Sequence, residues 1–222
     1  MPNPRNELLV NDELYHVLNR SIANDEVFRG KRQLDRALEL VDYYRYSQSL
    51  RFSKFKTMTF EEKKKYTRQF KKSKPLVEIY AFAFMPNHYH ILLKQIRDRG
   101  ISTFISNFQN SFAKYFNTKF DRNGGLFQRP FKAKRIISDE ILLHISRYIH
   151  LNPITSYLVE YKDHESYPWT SYLNYLGKRN NDYVNTDYLL RLMGSTKSYE
   201  DFVSNQVDYQ RALQLIKNYQ LE

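Results

Sequence analysis

Two histidines separated by one residue, His88 and His90, are the residues whose types and spacing point most directly to chemistry. They follow a Pro-Asn turn and open an apolar stretch that is typical of a β-strand. Because side chains alternate between the two faces of a strand, both imidazoles emerge on the same face. Two neutral imidazoles on one face form half of a site for a divalent metal ion. A pair of hydrogen-bonded histidines with a purely structural role gives the same pattern, so the pair alone leaves both interpretations open.

A tyrosine and an asparagine one helical turn apart form a second candidate group. Residues 139–151 are predicted to be a helix that presents Tyr148 and Asn152 on one face. A phenol oxygen in this position could act as a nucleophile beside an amide that ligates the same metal ion. The structural alternatives are a core aromatic for Tyr148 and a helix-ending residue for Asn152. We expect the helix to end near Leu151, because Pro153 disfavours helical geometry at the residue before it.

Three further side chains compete for roles in chemistry. Tyr115 is the rival nucleophile, but it lies on a helical stripe of phenylalanines, which favours burial in the core. His144 precedes Tyr148 by one turn and is either a general base or, with better support, a polar surface residue. His16 lies in the first predicted strand, beside the histidine strand, and could approach the metal or the DNA.

The composition favours a polyanionic partner. The 222 residues carry 35 Lys and Arg against 24 Asp and Glu, a formal net charge of +11. The absence of cysteine excludes disulfides, thiolate metal sites and a cysteine nucleophile. Nucleic acid is favoured over a membrane, because the longest apolar run, 79–85, is too short to cross a bilayer and the 19 Tyr and 15 Phe offer surfaces for base stacking. No targeting segment is visible, so we expect a cytoplasmic protein.

Most of the excess charge lies in residues 45–74, which hold 11 Lys and Arg and only two acids. One interpretation is a solvated, partly disordered insert. The other is an arm that follows the phosphates of DNA, favoured by interleaved aromatic residues at positions 52, 55, 60, 66 and 70. The predicted DNA contacts are basic residues of this insert and residues that flank the fourth predicted strand: Lys63, Lys64, Lys65, Arg68, Lys71, Lys72, Gln128, Arg129, Lys132 and Lys134.

The elements that must position these side chains alternate in type along the chain. Hydrophobic patterns predict strands over 13–18, 76–85, 88–93 and 131–137, and helices over 33–46, 101–116 and 139–151. The order β-α-β-β-α-β followed by a helix favours an α+β fold, a ferredoxin-like split β-α-β sandwich in which helices cover one face of an antiparallel sheet. We expect residues 1–154 to form this domain, with the insert at 45–74, and residues 155–222 to form a mostly helical C-terminal extension.

Three sequence blocks, MPNHYHILL, GGLFQRPFKAKRI and RYIHLNPI, resemble those of the REP-associated tyrosine transposases, which are relatives of the single-tyrosine HUH transposases of insertion sequences. The segment ELYHVLNRSIANDEVF also resembles the first strand of that family and the turn after it. The resemblance covers about residues 13–175. It implies a domain that nicks single-stranded DNA beside hairpins, with His88 and His90 in the metal-binding positions.

The resemblance also implies that Tyr148 is the nucleophile, that Asn152 is the third metal ligand and that the metal is Mg²⁺ or Mn²⁺. The resulting hypothesis is a metal-dependent strand-transfer enzyme, monomeric or homodimeric, that forms a phosphotyrosine intermediate. A hairpin-binding protein of the same fold without cleavage activity is the main alternative. A small-molecule metalloenzyme is less consistent with the pattern, because it would need further His or Glu ligands. The length of the basic insert and Pro130 depart from the family pattern, which affects the expected DNA path more than the chemistry.

Overall fold

The computed structural model describes residues 8–205, which fold around a four-stranded antiparallel sheet. The strand order is β2-β3-β1-β4, with β1 at Leu14–Arg20, β2 at Val77–Phe84, β3 at His88–Gln95 and β4 at Lys132–Arg135. The predicted α+β class and the β-α-β-β-α-β order are confirmed. β1 extends two residues beyond its predicted end, which places Arg20 opposite His88.

Large side chains cover one face of the sheet. Alternate residues of the central strands, including Tyr15, Tyr89 and Ile91, are fully buried there. Helices α1 (Lys31–Tyr44) and α4 (Gly100–Lys119) pack on this face. The apolar stripe of α4 follows the helical period, so its members reach the same core: Ile101, Phe104, Ile105, Phe108 and Phe112.

The opposite face is covered by α5 (Asp139–Thr155), so helices lie on both faces rather than on the single face predicted. A register shift in β2 between Ile79 and Ala81 decides which residues of this edge strand face α5. Before the shift Ile79 faces α1 and α4, whereas Ala81 and Ala83 face the opposite side. Their small side chains allow α5 to approach the sheet closely.

Helix α5 begins as predicted and ends later than predicted. The Ser138 hydroxyl accepts a hydrogen bond from the backbone N–H of Ile141 and caps the first turn. The prediction of an end near Leu151 was wrong, because Pro153 lies inside the helix, which continues to Thr155. The last turn is buried, and this tertiary packing outweighs the local preference of the residue before proline.

The basic stretch folds into two helices, α2 (Phe52–Thr57) and α3 (Phe60–Phe70). The interpretation as a partly disordered insert does not hold, and most of the aromatic rings that favoured a DNA-binding arm are packed against the domain. Phe52, Phe55, Tyr66 and Phe70 pack on one another and on α1, and only Phe60 is strongly exposed among these rings, at 75%. The rings are used to attach α2 and α3 to the domain.

Residues after α5 form short helices that pack beside it: a 3-10 helix at Tyr161–Ser166, α6 (Tyr172–Tyr175), α7 (Asp187–Met193) and α8 (Thr196–Ser204). The predicted extension is helical as far as it is described, and residues 206–222 lie outside the described residues. The predicted division at residue 154 remains a prediction. Within residues 8–205, no helix is both long and apolar enough to cross a membrane.

Candidate active site

The strand register brings three histidines to one face of the sheet. Leu18 of β1 lies opposite His90 of β3, and Arg20 lies opposite His88. Because alternate residues share a face, His16 projects on the same side as His88 and His90. Its Nε2 lies 2.9 Å from Nδ1 of His90, with the two ring centroids 5.1 Å apart. The sequence placed His16 near the histidine strand, and the structure makes it a direct hydrogen-bond partner.

Each of the two candidate metal ligands has its Nδ1 in a hydrogen bond. His88 Nδ1 lies 2.6 Å from the Asn87 side-chain oxygen, an acceptor, so this nitrogen carries the proton and leaves Nε2 unprotonated. For His90, the tautomer in which Nδ1 donates to His16 also leaves Nε2 unprotonated. Metal binding through Nε2 of both rings would leave these orienting bonds intact.

Burial keeps the His16 and His88 imidazoles neutral. Desolvation lowers the pKa of His16 to about 4. Desolvation, with a smaller contribution from the positive charge of Arg20, lowers the pKa of His88 to about 4. Neutral imidazoles are the form that binds a metal ion.

Tyr148 of α5 lies over the histidines. Its ring stands edge-on to His90, with centroids 5.5 Å apart, and edge-on to His16 at 6.2 Å. Tyr148 is only partly buried, in contrast to its neighbour Ile149, which is fully buried on the core side of the helix. The phenol is therefore held beside the imidazoles by the packing of the opposite side of α5.

Asn152 lies one turn beyond Tyr148 on the same face of α5 and is 4% exposed. Its side-chain Nδ2 is buried and has no hydrogen-bond partner among the described residues. A buried donor without a partner is costly. Within residues 8–205, no three His, Cys, Asp or Glu side chains group as a metal site. Two imidazoles and the carbonyl oxygen of an amide are nevertheless the kinds of donor that fit a divalent cation.

A buried network on the other side of α5 fixes the rotation of the helix. His150, between Tyr148 and Asn152, has Nε2 2.7 Å from the Ser171 hydroxyl and Nδ1 2.8 Å from the Tyr199 hydroxyl. The Ser171 hydroxyl in turn accepts a hydrogen bond from the backbone N–H of Phe82 in β2. Burial holds the pKa of His150 well below its usual range. Sequence analysis missed this role, and the only available signal was the position of His150, two residues from both candidates.

Arg147 and His144 face α8. The Arg147 guanidinium lies 4.1 Å from the centroid of the Phe202 ring, and it also lies 2.7 Å from Nδ1 of His144. His144 contacts the Phe202 ring as well, at 5.8 Å between centroids. These contacts agree with the interpretation of His144 as a polar helix-face residue.

Basic residues of β1 and β4 line the histidine face. Lys132 and Lys134 pair with Leu18 and His16, so their side chains share the face of the histidines and of Arg20, and all three cations are exposed. Gln128 and Arg129, also exposed, lie at the same end, where the Gln128 backbone N–H donates to the Arg20 carbonyl. The predicted contacts of the second sequence block, GGLFQRPFKAKRI, thus lie on the histidine face or at its end.

The predicted contacts on and after α3 lie elsewhere, because α3 packs through its aromatic residues on the α1 side. Lys64, Lys65, Arg68 and Lys72 line a shallow basic cleft, and Lys63 is half-buried. Lys71 donates to Asp182 at 2.6 Å and holds the pKa of that carboxyl below its usual range. Tyr115 lies on α4, across the sheet from the histidines, which removes it as a rival nucleophile at this site.

A sequence family matches the part of the chain that carries this arrangement. The family described as "Transposase IS200 like" matches residues 45–152, a span that includes His88, His90, Tyr148 and Asn152. Over this span the chain matches the IS200-like transposase family. The match supports a role as a transposase, a DNA-processing enzyme. Transposases of this family generally use divalent metals.

One solved structure shares the fold of this chain, and a second is similar over part of it. A REP-associated tyrosine transposase bound to a REP hairpin is similar over 83% of this chain and 90% of its own, with 12% identity and a TM-score of 0.56. At this identity the similarity shows a common fold alone. A candidate transposase from Deinococcus radiodurans R1 matches over 67% of this chain and 95% of its own, with 15% identity and a TM-score of 0.36, too low to carry an argument. No curated protein sequence matches the chain.

Proposed function

We propose that this protein cleaves and rejoins single-stranded DNA through a covalent bond between the strand and Tyr148. The observation that carries the proposal is the position of the Tyr148 ring, edge-on to both His90 and His16, with Asn152 buried one turn away. His16, His90 and Tyr148, which the sequence separates by as many as 132 positions (16 to 148), contact one another on one face of the sheet.

His88, His90 and Asn152 would hold the divalent metal ion, Mg²⁺ or Mn²⁺. When bound, such an ion withdraws charge from a non-bridging phosphate oxygen and helps to align the scissile phosphate. Asn87 holds His88 in the orientation and tautomer that this binding needs, and His16 would do the same for His90 by accepting from its Nδ1.

Tyr148 would attack the phosphorus atom with its phenol oxygen. A bond forms between that oxygen and phosphorus, and the bond to the 3′-oxygen breaks, which leaves a free 3′-hydroxyl. The phenol loses a proton in this step and the leaving oxygen gains one, so no net proton is consumed. Because the new bond is again a phosphodiester, a second 3′-hydroxyl can reverse the reaction and join strands.

The DNA would lie along the basic residues beside the histidines. Arg20, Lys132 and Lys134 project on the face of the sheet that carries the histidines. Arg129 lies near Arg20, just before β4. Cations in such a row neutralise phosphates and fix the register of a strand without reading its bases. The related structure holds a REP hairpin, which supports a hairpin-associated site as the substrate here.

The proposal is tested by incubating the protein and Mn²⁺ or Mg²⁺ with labelled hairpin DNA that carries single-stranded flanks. We expect a band that resists denaturation, that requires the metal and that disappears in Tyr148→Phe. Tyr161→Phe removes an exposed phenol hydroxyl on the 3-10 helix after α5 and is the matched control, which should retain the band. If wild-type protein binds hairpins but yields no band with either metal, the binding protein without cleavage becomes the better interpretation.

A further inference from the structure

A second large cleft lies on the side of the sheet away from Tyr148 and the histidines. Its volume is about 990 Å³, and it is open to solvent between α1, α2 and α4. Clefts of this size accommodate small organic ligands or short stretches of a polymer. The proposed cleavage site makes no use of it.

The lining of the cleft is cationic. Five basic side chains contribute to it and no carboxylate does: Arg36, Arg51, Lys56, Lys114 and Lys119. Glu39 lies just outside and pairs with Lys56 at 2.7 Å and with Arg36 at 3.4 Å. In the described part of the chain, no carboxylate lies within ion-pairing distance of Arg51, Lys114 or Lys119. These three cations without a carboxylate partner, beside two that share Glu39, favour a ligand with several negative charges.

Flat groups form the base of the cleft. The Arg36 guanidinium lies 5.1 Å from the centroid of Phe52 and 4.9 Å from the centroid of Tyr115. Phe52 is buried, whereas Arg36 and Tyr115 are half-buried and reach the cleft. A guanidinium stacked on aromatic rings presents a planar surface on which a nucleic-acid base can stack.

Amide and hydroxyl groups complete the α4 wall. Asn107, Asn110, Ser111 and Thr118 line the cleft from successive turns of α4, together with Lys114. This polar face lies beside the buried stripe of the same helix. Asparagine side chains both donate and accept hydrogen bonds, as the edges of bases require.

We propose that this cleft binds single-stranded nucleic acid at a site separate from Tyr148. The cleft offers a stacking surface for a base and cations for its phosphate. A free nucleotide could use both of these features as well as a strand could. A strand is favoured, because the five cations are distributed over three helices and exceed what one phosphate monoester neutralises. The open form of the cleft allows a strand to enter and leave it. The inference goes beyond the proposed cleavage reaction and does not depend on it.

The test measures binding without cleavage, using full-length Tyr148→Phe protein with EDTA and a labelled single strand of about ten nucleotides. The test variant adds Arg51→Gln, Lys114→Gln and Lys119→Gln, which alter exposed side chains of the cleft. The matched control instead adds Arg97→Gln, Lys162→Gln and Arg191→Gln, three exposed cations outside it. We expect the test variant to lose about tenfold or more in affinity and its salt slope to fall by about 2, at about 0.7 per lost contact. The control should keep its slope.

Crosslinking locates the strand directly. A strand that contains 5-iodouracil should crosslink to the peptide with Tyr115 upon irradiation, and Tyr115→Leu should abolish that product. Equal losses in the test variant and the control would contradict the proposal, as would crosslinks confined to peptides of the histidine face. If ATP binds more tightly than the strand and displaces it from Tyr115, the cleft is a nucleotide site and the strand assignment is wrong. Thermal midpoints of all variants establish that they fold.

Discussion

At the residue scale, the geometry of the candidate site depends on hydrogen bonds to Nδ1 of each imidazole, the ring nitrogen opposite the proposed metal ligand Nε2. His16 holds Nδ1 of His90 from the neighbouring strand, and Asn87 holds Nδ1 of His88 from the turn before β3. The bond to Asn87 selects the tautomer of His88 with Nε2 unprotonated, and the bond to His16 is compatible with the same tautomer of His90. The proposed metal binding therefore depends on His16 and Asn87 as well as on the ligands themselves.

His16→Leu should weaken metal binding although it removes no ligand. Without its partner the His90 ring loses its fixed orientation and tautomer, and we expect Mn²⁺ affinity to fall by about 10- to 100-fold. Titration calorimetry with Mn²⁺ measures the effect. His144→Leu removes an exposed histidine of α5 and should leave the affinity unchanged. Equal affinity of His16→Leu and wild-type protein would show that His90 does not ligate through Nε2.

The pair His88 and His90 could be predicted from the sequence, because alternation along a strand is a local rule. The shared face of Tyr148 and Asn152 follows in the same way from the helical period. The contact between His16 and His90 could not, because it depends on the register between β1 and β3. The role of His150 depends on Ser171 and Tyr199, which are distant in sequence.

At the element scale, α5 is held between the sheet and the C-terminal helices. His150 connects it to Ser171, at the start of α6, and to Tyr199 of α8, while Arg147 packs on Phe202 of α8. The residues after α5 therefore fix the rotation of the helix that carries Tyr148 and Asn152. The sequence of this region indicated helices but not what they contact.

Tyr199→Phe should destabilise the protein by about 1–3 kcal/mol, because it leaves Nδ1 of buried His150 and the Ser146 hydroxyl without their shared partner. Chemical denaturation measures the loss. Tyr188→Phe is the control, since its hydroxyl meets Asp139 at the surface and should contribute little. If Tyr199→Phe loses no more stability than the control, Tyr199 does not hold α5 in place through His150.

Helix α3 carries exposed cations that the sequence predicts to follow DNA phosphates. Lys64→Gln, Lys65→Gln and Arg68→Gln together should weaken binding to all single strands alike. The plot of log affinity against log salt should flatten by about 2, at about 0.7 per contact. Lys71→Gln should contribute less, because Lys71 is already paired with Asp182. An unchanged slope would make α3 a solvated face, and a larger loss for one sequence would mean that it reads bases.

At the scale of the whole molecule, the sheet separates two basic surfaces. The histidine face carries the basic residues of β1 and β4, and the opposite side carries the cleft between α1, α2 and α4. Net charge and the basic stretch at 45–74 predicted a polyanionic partner. They could not predict two separate surfaces, because the pairing of β1 with β4 and the packing of α1, α2 and α4 decide which basic residues lie together.

Buried neutral histidines make stability depend on pH. Burial lowers the pKa of His164 to about 4, and the pKa of His150 lies well below its usual range. Because the unfolded chain binds protons near pH 6.5 and the folded chain does not, stability is full above that pH and is lost as pH falls towards 4. His164→Gln should reduce this loss by about 3 kcal/mol. Denaturation at pH 7.5 and pH 4.5 measures it, and an unchanged pH dependence would contradict the assignment.

The central claim is that Tyr148 bonds to DNA, and the most direct measurement is the position of the attachment. The covalent species formed on hairpin DNA with Mn²⁺ is digested with nuclease and protease, and the nucleotide-bearing peptide is sequenced by tandem mass spectrometry. We predict a nucleotide joined through phosphate to Tyr148, in the peptide that also contains Asn152. Attachment to any other residue would contradict the account.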